Sequence, residues 1–265
     1  MLVFSYFIFI FLMHVPCAKL SVFVEHHLSL PVYNKVVIAI SILLLILYIA
    51  FVLTHLKDRA DNRIHKIIYL LLVLLFIILH VRIMFEMNIE IIHIFQYSIL
   101  AMLLFPLTRR FGAAVCFAIP FMLVDEWNQY INLYPGYVEY FEFNDVILDI
   151  NGCGLAMITL YIIGVEGSQN LKPLWKRPEF MAILAFAFAV LIAVKACFIA
   201  LYTADKCNNT WLVLNIIKEE QFFWRKFPGR DAVYHIMQPI EAIAAIIGLA
   251  LFYFGLDSFR RKATD

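Results

Sequence analysis

The chain has 265 residues, of which 64% are hydrophobic and 15% charged, and its formal net charge is +1. Soluble globular proteins are roughly half apolar and about a quarter charged, so this composition is typical of a membrane protein and excludes an ordinary soluble domain. No long Lys/Arg-rich run is present, and the near-neutral balance therefore argues against nucleic acid as a partner.

The apolar residues come in long blocks. A bilayer core of about 30 Å needs about 20 mostly apolar residues to cross it as a helix. The first block is the least convincing span, but no basic residues precede it and Val15-Pro16-Cys17 is a poor cleavage site, so a cleaved signal peptide is not favoured. The sequence predicts an all-α, polytopic transmembrane helical bundle of about eight spans, at residues 1–16, 35–54, 64–81, 90–107, 111–128, 144–164, 180–203 and 235–256.

The connections between these blocks differ in their content of Lys and Arg. One alternating set, at residues 57–66, 109–110, 172–177 and 260–262, carries twelve of them, and the other set carries eight, five of which lie in the single long loop 204–234. Cytoplasmic connections of membrane proteins are enriched in Lys and Arg. This asymmetry predicts a multi-pass protein of the cell membrane with both termini in the cytoplasm.

Three segments follow from this pattern: N-terminal transmembrane helices at 1–87, a polar-motif core at 88–164, and two further transmembrane helices at 165–265 with the outer loop 204–234 between them. Within that loop, apolar residues recur at nearly helical spacing from Trp211 to Phe227. This spacing indicates an amphipathic helix on the outer membrane surface. A packed loop that caps the bundle is an equally consistent interpretation.

Ionisable residues are expensive inside a bilayer, at about 2.5–3.5 kcal/mol each near its centre on insertion scales. Here they concentrate at the predicted outer ends of spans four, five and six. Residues three, four or seven positions apart share a helix face. Such pairs and triplets are His93 with Tyr97, Asp125 and Glu126 with Gln129, and Asp145 with Asp149 and Gly152; Asn151 lies beside the last set.

Four carboxylates at one depth cannot all stay ionised without cations or shared protons. Three interpretations remain open. A carboxylate pair could share a proton and act in acid–base chemistry. A divalent cation could be held by Glu126, Asp145, Asp149 and His93. Alternatively, Asn144 or Asp145 could simply cap the sixth span. We expect a site role above all for Glu126 and Asp149, with His93 as their partner.

A second polar pair lies further along the chain. Lys195 and Glu241 are each about two turns from the predicted outer ends of spans seven and eight, which favours a structural ion pair between the two helices. Among the cysteines, Cys17 and Cys207 fall on the same predicted side, so a disulfide between them is an open alternative that no spacing supports.

The polar motifs resemble the VanZ-like family over about residues 88–160. Its pattern places E-x-x-H-x-x-x-Y-x-x-L on one helix, D-E-x-x-Q on the next, then P-G and D-x-x-x-[DN]-x-x-G. In this chain the corresponding residues are Glu90, His93, Tyr97 and Leu100, then Asp125, Glu126 and Gln129, then Pro135 and Gly136, and finally Asp145, Asp149 and Gly152. The family commonly has an arginine after Pro-Gly, whereas this chain has Tyr137.

The resemblance implies a bacterial cell-envelope protein with a polar site facing the outer leaflet. The founding member is associated with resistance to glycopeptide antibiotics, particularly teicoplanin. If the arginine binds an anionic head group, this chain has lost it or replaced it, with Arg82 and Arg230 as the candidates. The family's biochemical activity does not follow from the motifs.

Three functions are consistent with these residues. The first is a site for a membrane lipid or lipid-linked cell-wall precursor, as a binder or an enzyme, with Glu126, Asp149 and His93 as candidate catalytic residues and Tyr97, Asp125, Gln129, Asp145, Asn151 and Gly152 as binding residues. Recognisable nucleophile motifs are lacking in the sequence, which lowers the expectation of an enzyme. The second is a non-catalytic protein that alters antibiotic partitioning in the envelope. The third is a transporter, which would need polar residues through the whole membrane.

Overall fold

The computed structural model describes residues 1–58, 63–85, 88–133, 140–168, 176–215, 224–226 and 233–258. Within these ranges the chain forms eight α-helices, and each overlaps one predicted span. They are α1 (Leu2–Leu28), α2 (Leu30–Asp58), α3 (Arg63–Ile83), α4 (Ile92–Thr108), α5 (Phe111–Leu133), α6 (Phe143–Ile162), α7 (Pro178–Lys195) and α8 (Pro239–Ser258).

The helix boundaries differ most from the predicted ones at two places. α1 continues to Leu28, twelve residues past the predicted end, and only Ser29 separates it from α2, with φ at 60°. α7 ends at Lys195 instead of residue 203, because the chain turns at Cys197 and enters a strand. Hydropathy does not locate the end of α7, since the residues that follow Lys195 are apolar.

Five of the described helices, α1, α2, α3, α6 and α8, are long and apolar enough to cross a membrane, whereas α4 and α7 are apolar but shorter. Their surfaces agree with that role. Ile40, Leu43 and Leu47 of α2 are each more than half exposed. Soluble proteins rarely expose large continuous apolar patches, whereas a lipid-facing helix must. The chain is thus a helical protein, and five of its described helices are long and apolar enough to span a membrane.

Helix α6 is the centre of the bundle. It is buried along nearly its whole length and packs against α2, α3, α4, α5 and α8. Gly152 permits close contact with the backbone of α4, because a Cβ there would lie 2.7 Å from the carbonyl oxygen of Ile94. A Cβ at Gly154 would overlap the Tyr253 ring of α8. Small residues at helix interfaces let backbones approach in this way, as the sequence predicts for Gly152.

The region after α7 contains short strands. β1 (Ile199–Tyr202) pairs in parallel with β2 (Leu212–Asn215), and β3 (Arg225–Lys226) pairs antiparallel with β4 (Val233–Tyr234). Residues 212–215 are therefore extended, and the prediction of an amphipathic helix is wrong for them. Arg225 and Lys226 of the same predicted helix are likewise extended, in β3. Residues 216–223 and 227 of the predicted helix lie outside the described residues. The backbone N–H of Phe141 donates to the carbonyl of Leu214 at 2.7 Å, so the described strand packs on the entry to α6.

A disulfide joins Cys197, which precedes β1, to Cys207 in the connection between β1 and β2. The alternative pairing of Cys17 with Cys207 is therefore wrong, since Cys17 is free and exposed. Cys116 and Cys153 are buried and are not part of this disulfide.

Candidate functional site

His93 lies at the centre of a buried polar cluster. It is on the first turn of α4 and faces two carboxylates of α6, because Asp145 and Asp149 are one turn apart on the same face of that helix. His93 Nδ1 lies 3.0 Å from Asp149 Oδ1, and Nε2 lies 3.4 Å from Asp145 Oδ2. The imidazole therefore has a carboxylate on both of its nitrogens.

Asp125 of α5 forms a second node of the cluster. Its Oδ2 accepts a hydrogen bond from the Tyr97 hydroxyl at 2.9 Å and lies 2.8 Å from His14 Nδ1. The two nodes adjoin each other, since the rings of His14 and His93 have their centroids 4.8 Å apart. Tyr97 is stacked parallel to His93 on α4, as their four-residue spacing predicts.

Glu126 follows Asp125 in the chain and completes the set of carboxylates. The amide nitrogen of Gln129 donates to Glu126 Oε1 at 2.6 Å, in agreement with their predicted common face. Glu126 is 2% exposed, and Asp125 and Asp149 are fully buried. The structure thus brings together the carboxylates that the sequence grouped, while their role in binding or catalysis stays a prediction.

The cluster is rich in unsatisfied oxygen atoms. One carboxylate oxygen each of Asp125, Asp145 and Asp149 is buried and has no hydrogen-bond partner among the described residues. Among the described residues, the only basic side chains paired with these carboxylates are His14 and His93. A buried charge without a partner costs several kcal/mol, so ions, protons or a ligand must compensate for it. Such a concentration of unpartnered acid is typical of functional sites.

Other predicted residues in α6 have structural roles. Asn144 does not cap the helix: its amide nitrogen donates to the carbonyls of Met84 and His235, and its oxygen accepts from the N–H of Met237. The N-cap position is Glu142, so the capping alternative for Asn144 and Asp145 is wrong.

Two further predicted binding residues have partners within the protein. Asn151 accepts a hydrogen bond from the Tyr253 hydroxyl at 3.2 Å. Gly152 lies against the backbone of α4, where it permits close packing and leaves no room for a ligand. Asn151 also lines an apolar cavity between α3, α6 and α8, and therefore stays a binding candidate.

The predicted ion pair between Lys195 and Glu241 does not form. Glu241 Oε2 lies 3.0 Å from His235 Nε2 and accepts the backbone N–H of Gln238 at 2.9 Å. Lys195 is the last residue of α7 and its side chain is exposed. Because α7 ends here, depth estimated from span boundaries could not place Lys195 against α8.

An apolar cavity of about 420 Å³ lies beside the cluster, between α3, α6 and α8. His80 contributes to its wall and is 3% exposed, and neither of its ring nitrogens has a hydrogen-bond partner in the described part of the chain. Two other residues of the cavity wall, Ile147 and Asn151, lie on either side of Asp149 along α6. The remaining lining residues include Phe76, Leu79, Met237, Gly248 and Leu249.

His14 and His80 were not among the predicted site residues. Each is a lone histidine in an otherwise apolar block, and that rarity was the only available indication. α1 is held in place by more than His14: the Tyr6 hydroxyl donates to the carbonyl of Gln96 at 3.0 Å, and the Asn128 amide donates to that of Phe11 at 2.9 Å. Residues 134–139 and Arg230, which bear on the Pro-Gly motif and its missing arginine, lie outside the described residues.

No protein-family model matches this chain, and no significantly similar curated protein or solved structure was found. The VanZ-like resemblance therefore stays a prediction that rests on the motifs alone.

Proposed function

We propose that this protein is a multi-pass membrane protein that binds a lipid or lipid-linked cell-envelope component, with the polar part of the ligand at the His93 cluster and its apolar part in the cavity. The observation that carries the proposal is the adjacency of the two features. A ligand pocket commonly has a volume of about 300–1,000 Å³, is lined mainly by apolar side chains, and holds a few convergent polar groups. The cavity of about 420 Å³ with His80 in its wall fits this description.

The placement at the outer leaflet is part of the proposal. The excess of Lys and Arg in the opposite set of connections supports it. The disulfide between Cys197 and Cys207 gives independent support, because structural disulfides persist in oxidising compartments such as the cell exterior. This disulfide follows α7, at the end of the helix that the charge pattern assigns to the outside.

Mass spectrometry of lipids that co-purify in mild detergent tests the proposal. Gly248→Phe should fill the cavity, because nothing lies within 4 Å of a Cβ at this position. Glu126→Gln removes a carboxylate from the polar cluster with little change of shape. We expect one lipid class to be enriched with the wild type and reduced in both variants.

Ile247→Phe is the matched control, since Ile247 is exposed on the same helix and is not among the residues that line the cavity. It should retain the lipid at the level of the wild type. Equal lipid content in the wild type and Gly248→Phe, with both folded, would exclude the cavity as the binding site. Loss in Gly248→Phe alone would exclude a role for Glu126.

A catalytic role is the second candidate, and one observation favours it. His93 lies between Asp149 and Asp145, and a histidine held by a carboxylate can donate or accept a proton in general acid–base catalysis. An enzyme predicts abrupt loss of function in Glu126→Gln and Asp149→Asn. A non-catalytic protein that alters partitioning predicts that function survives the loss of any single carboxylate.

The relation to the VanZ-like family is likewise part of the proposal, supported by the order and spacing of the polar motifs. It predicts that expression in a glycopeptide-sensitive bacterium raises the teicoplanin concentration needed to inhibit growth. The same measurement on Asp149→Asn then separates the two candidates above. An unchanged inhibitory concentration with protein present in the membrane would count against the family's antibiotic role for this chain. A robust solute flux in proteoliposomes would instead favour the transporter.

A further inference from the structure

The buried cluster contains more acid than the described bases can neutralise. Asp125, Glu126, Asp145 and Asp149 contribute four carboxylates, all at most 4% exposed. Even with both His14 and His93 protonated, two negative charges have no compensating partner among the described residues. Either protons or a cation must make up the difference, since isolated charges are not stable at this depth.

The geometry points to a divalent transition-metal ion held by His93, Glu126 and Asp145, and we propose such a site. Each of the three offers one ligand atom, and these atoms all lie within 4.8 Å of one another. Ligands at about 2.0–2.2 Å from a tetrahedral ion lie about 3.3–3.6 Å from one another, so the ligand atoms need to close by at most about 1.5 Å when the ion binds. The three residues come from α4, α5 and α6, so the ion would join the central helices.

Two further observations favour a ligand role for these atoms. Asp145 is 4% exposed, and no described residue forms a hydrogen bond with its buried Oδ1. Asp149 Oδ1 lies 3.0 Å from Nδ1 of His93, so the other ring nitrogen, Nε2, faces Asp145 and can bind the ion. A carboxylate on the far nitrogen is the usual way in which a metal-binding histidine is oriented. Asp149 is then a positioning residue and not a ligand, which refines its predicted role.

The donor set selects the class of ion. One imidazole nitrogen and two carboxylate oxygens suit Zn²⁺ and its neighbours such as Mn²⁺ or Co²⁺, whereas Ca²⁺ and Mg²⁺ prefer sites made only of oxygen. Three protein ligands leave a coordination position for water or an anionic oxygen of a ligand. A metal site goes beyond the proposed lipid binding. It can be tested separately, because metal content can be measured on protein from which lipid has been removed.

The test is metal content after stripping with a chelator, reloading with Zn²⁺ and removal of the excess, measured by mass spectrometry of the metal. We expect about one chelator-removable Zn²⁺ per wild-type chain. Glu126→Gln and Asp145→Asn should each weaken Zn²⁺ binding at least tenfold, and Asp149→Asn roughly 10–100-fold as a residue that orients His93. Asp257→Asn is the control. This carboxylate of α8 is also buried, but it contacts the first residue of α5, at the opposite end of that helix from Glu126, so the variant should leave Zn²⁺ binding unchanged.

Retention of Zn²⁺ by the double variant of Glu126 and Asp145 at the wild-type level would overturn the proposal, because the ion would then bind elsewhere. So would the absence of any bound ion in folded wild type exposed to excess Zn²⁺. Should the variants fail to fold, Co²⁺ loading of the wild type decides instead. A visible absorption spectrum typical of low-coordinate Co²⁺ that excess Zn²⁺ abolishes supports the site, and its absence overturns it. If wild-type protein stripped of metal still retains its lipid, lipid binding does not depend on the ion, and the two proposals then stand or fall separately.

Discussion

The contact between His14 and Asp125 decides whether α1 belongs to the polar cluster, and a double-mutant cycle measures it. The variants are His14→Ala, Asp125→Ala and their combination. Hydrogen bonds between membrane helices contribute about 0.6 kcal/mol on average and up to about 1.7 kcal/mol. Removing one partner of a buried ion pair costs about 3–5 kcal/mol.

The structure places the expected value between these limits. The two atoms are 2.8 Å apart and both side chains are buried, which favours a large coupling energy. However, the Tyr97 hydroxyl stays on the same carboxylate oxygen when His14 is removed, so Asp125 is not left without a partner. We therefore expect a coupling of about 1–3 kcal/mol.

The assay is unfolding in mixed micelles with increasing dodecyl sulfate, followed by loss of helical circular dichroism. The control cycle combines His14→Ala with Ser98→Ala, because the Ser98 hydroxyl donates to the carbonyl of Gly152 and shares no partner with His14. It should show additivity within about 0.5 kcal/mol. A His14–Asp125 coupling as small as that of the control would refute the reasoning, since the contact would then not exist in the folded protein.

Three further predictions use the same unfolding assay or simple labelling. Gly152→Ala should destabilise the protein by about 1–3 kcal/mol, because the added Cβ would overlap the backbone of α4. The control Gly248→Ala should change stability by less than about 1 kcal/mol, since nothing lies within 4 Å of its Cβ. Similar effects of the two substitutions would contradict the packing argument. Asp257→Asn should cost about 1–2 kcal/mol, since this carboxylate accepts the first N–H groups of α5, and no loss would show that water replaces it. Cys197 and Cys207 should resist maleimide labelling until a reductant is added; labelling without reductant would contradict the disulfide.

Sequence patterns anticipated much of the candidate site. Helical spacing alone predicted that His93 and Tyr97, Glu126 and Gln129, and Asp145 and Asp149 share faces, and these pairs are close in the structure. Such predictions succeed because i, i+3 and i, i+4 neighbours are fixed by the geometry of the α-helix, whatever the rest of the protein does.

Predictions that depended on two separate elements were less reliable. The Lys195–Glu241 pair relied on equal depth in two helices, and it failed because α7 ends early and His235 takes the carboxylate. The amphipathic helix failed over residues 212–215 because they found a strand partner in β1, a long-range contact that outweighs local periodicity.

By itself, the sequence determined that the chain is helical and apolar enough to enter a membrane, and that its rare polar side chains concentrate near one end of three helices. Only the tertiary structure decided that His14 of α1 joins those side chains, that His80 borders an apolar cavity beside them, and that Cys197 pairs with Cys207. The physical reason is that hydropathy and helical period are properties of a segment alone. Which faces meet is decided by packing, and in this protein by glycines such as Gly152 that let α4 and α6 come into backbone contact.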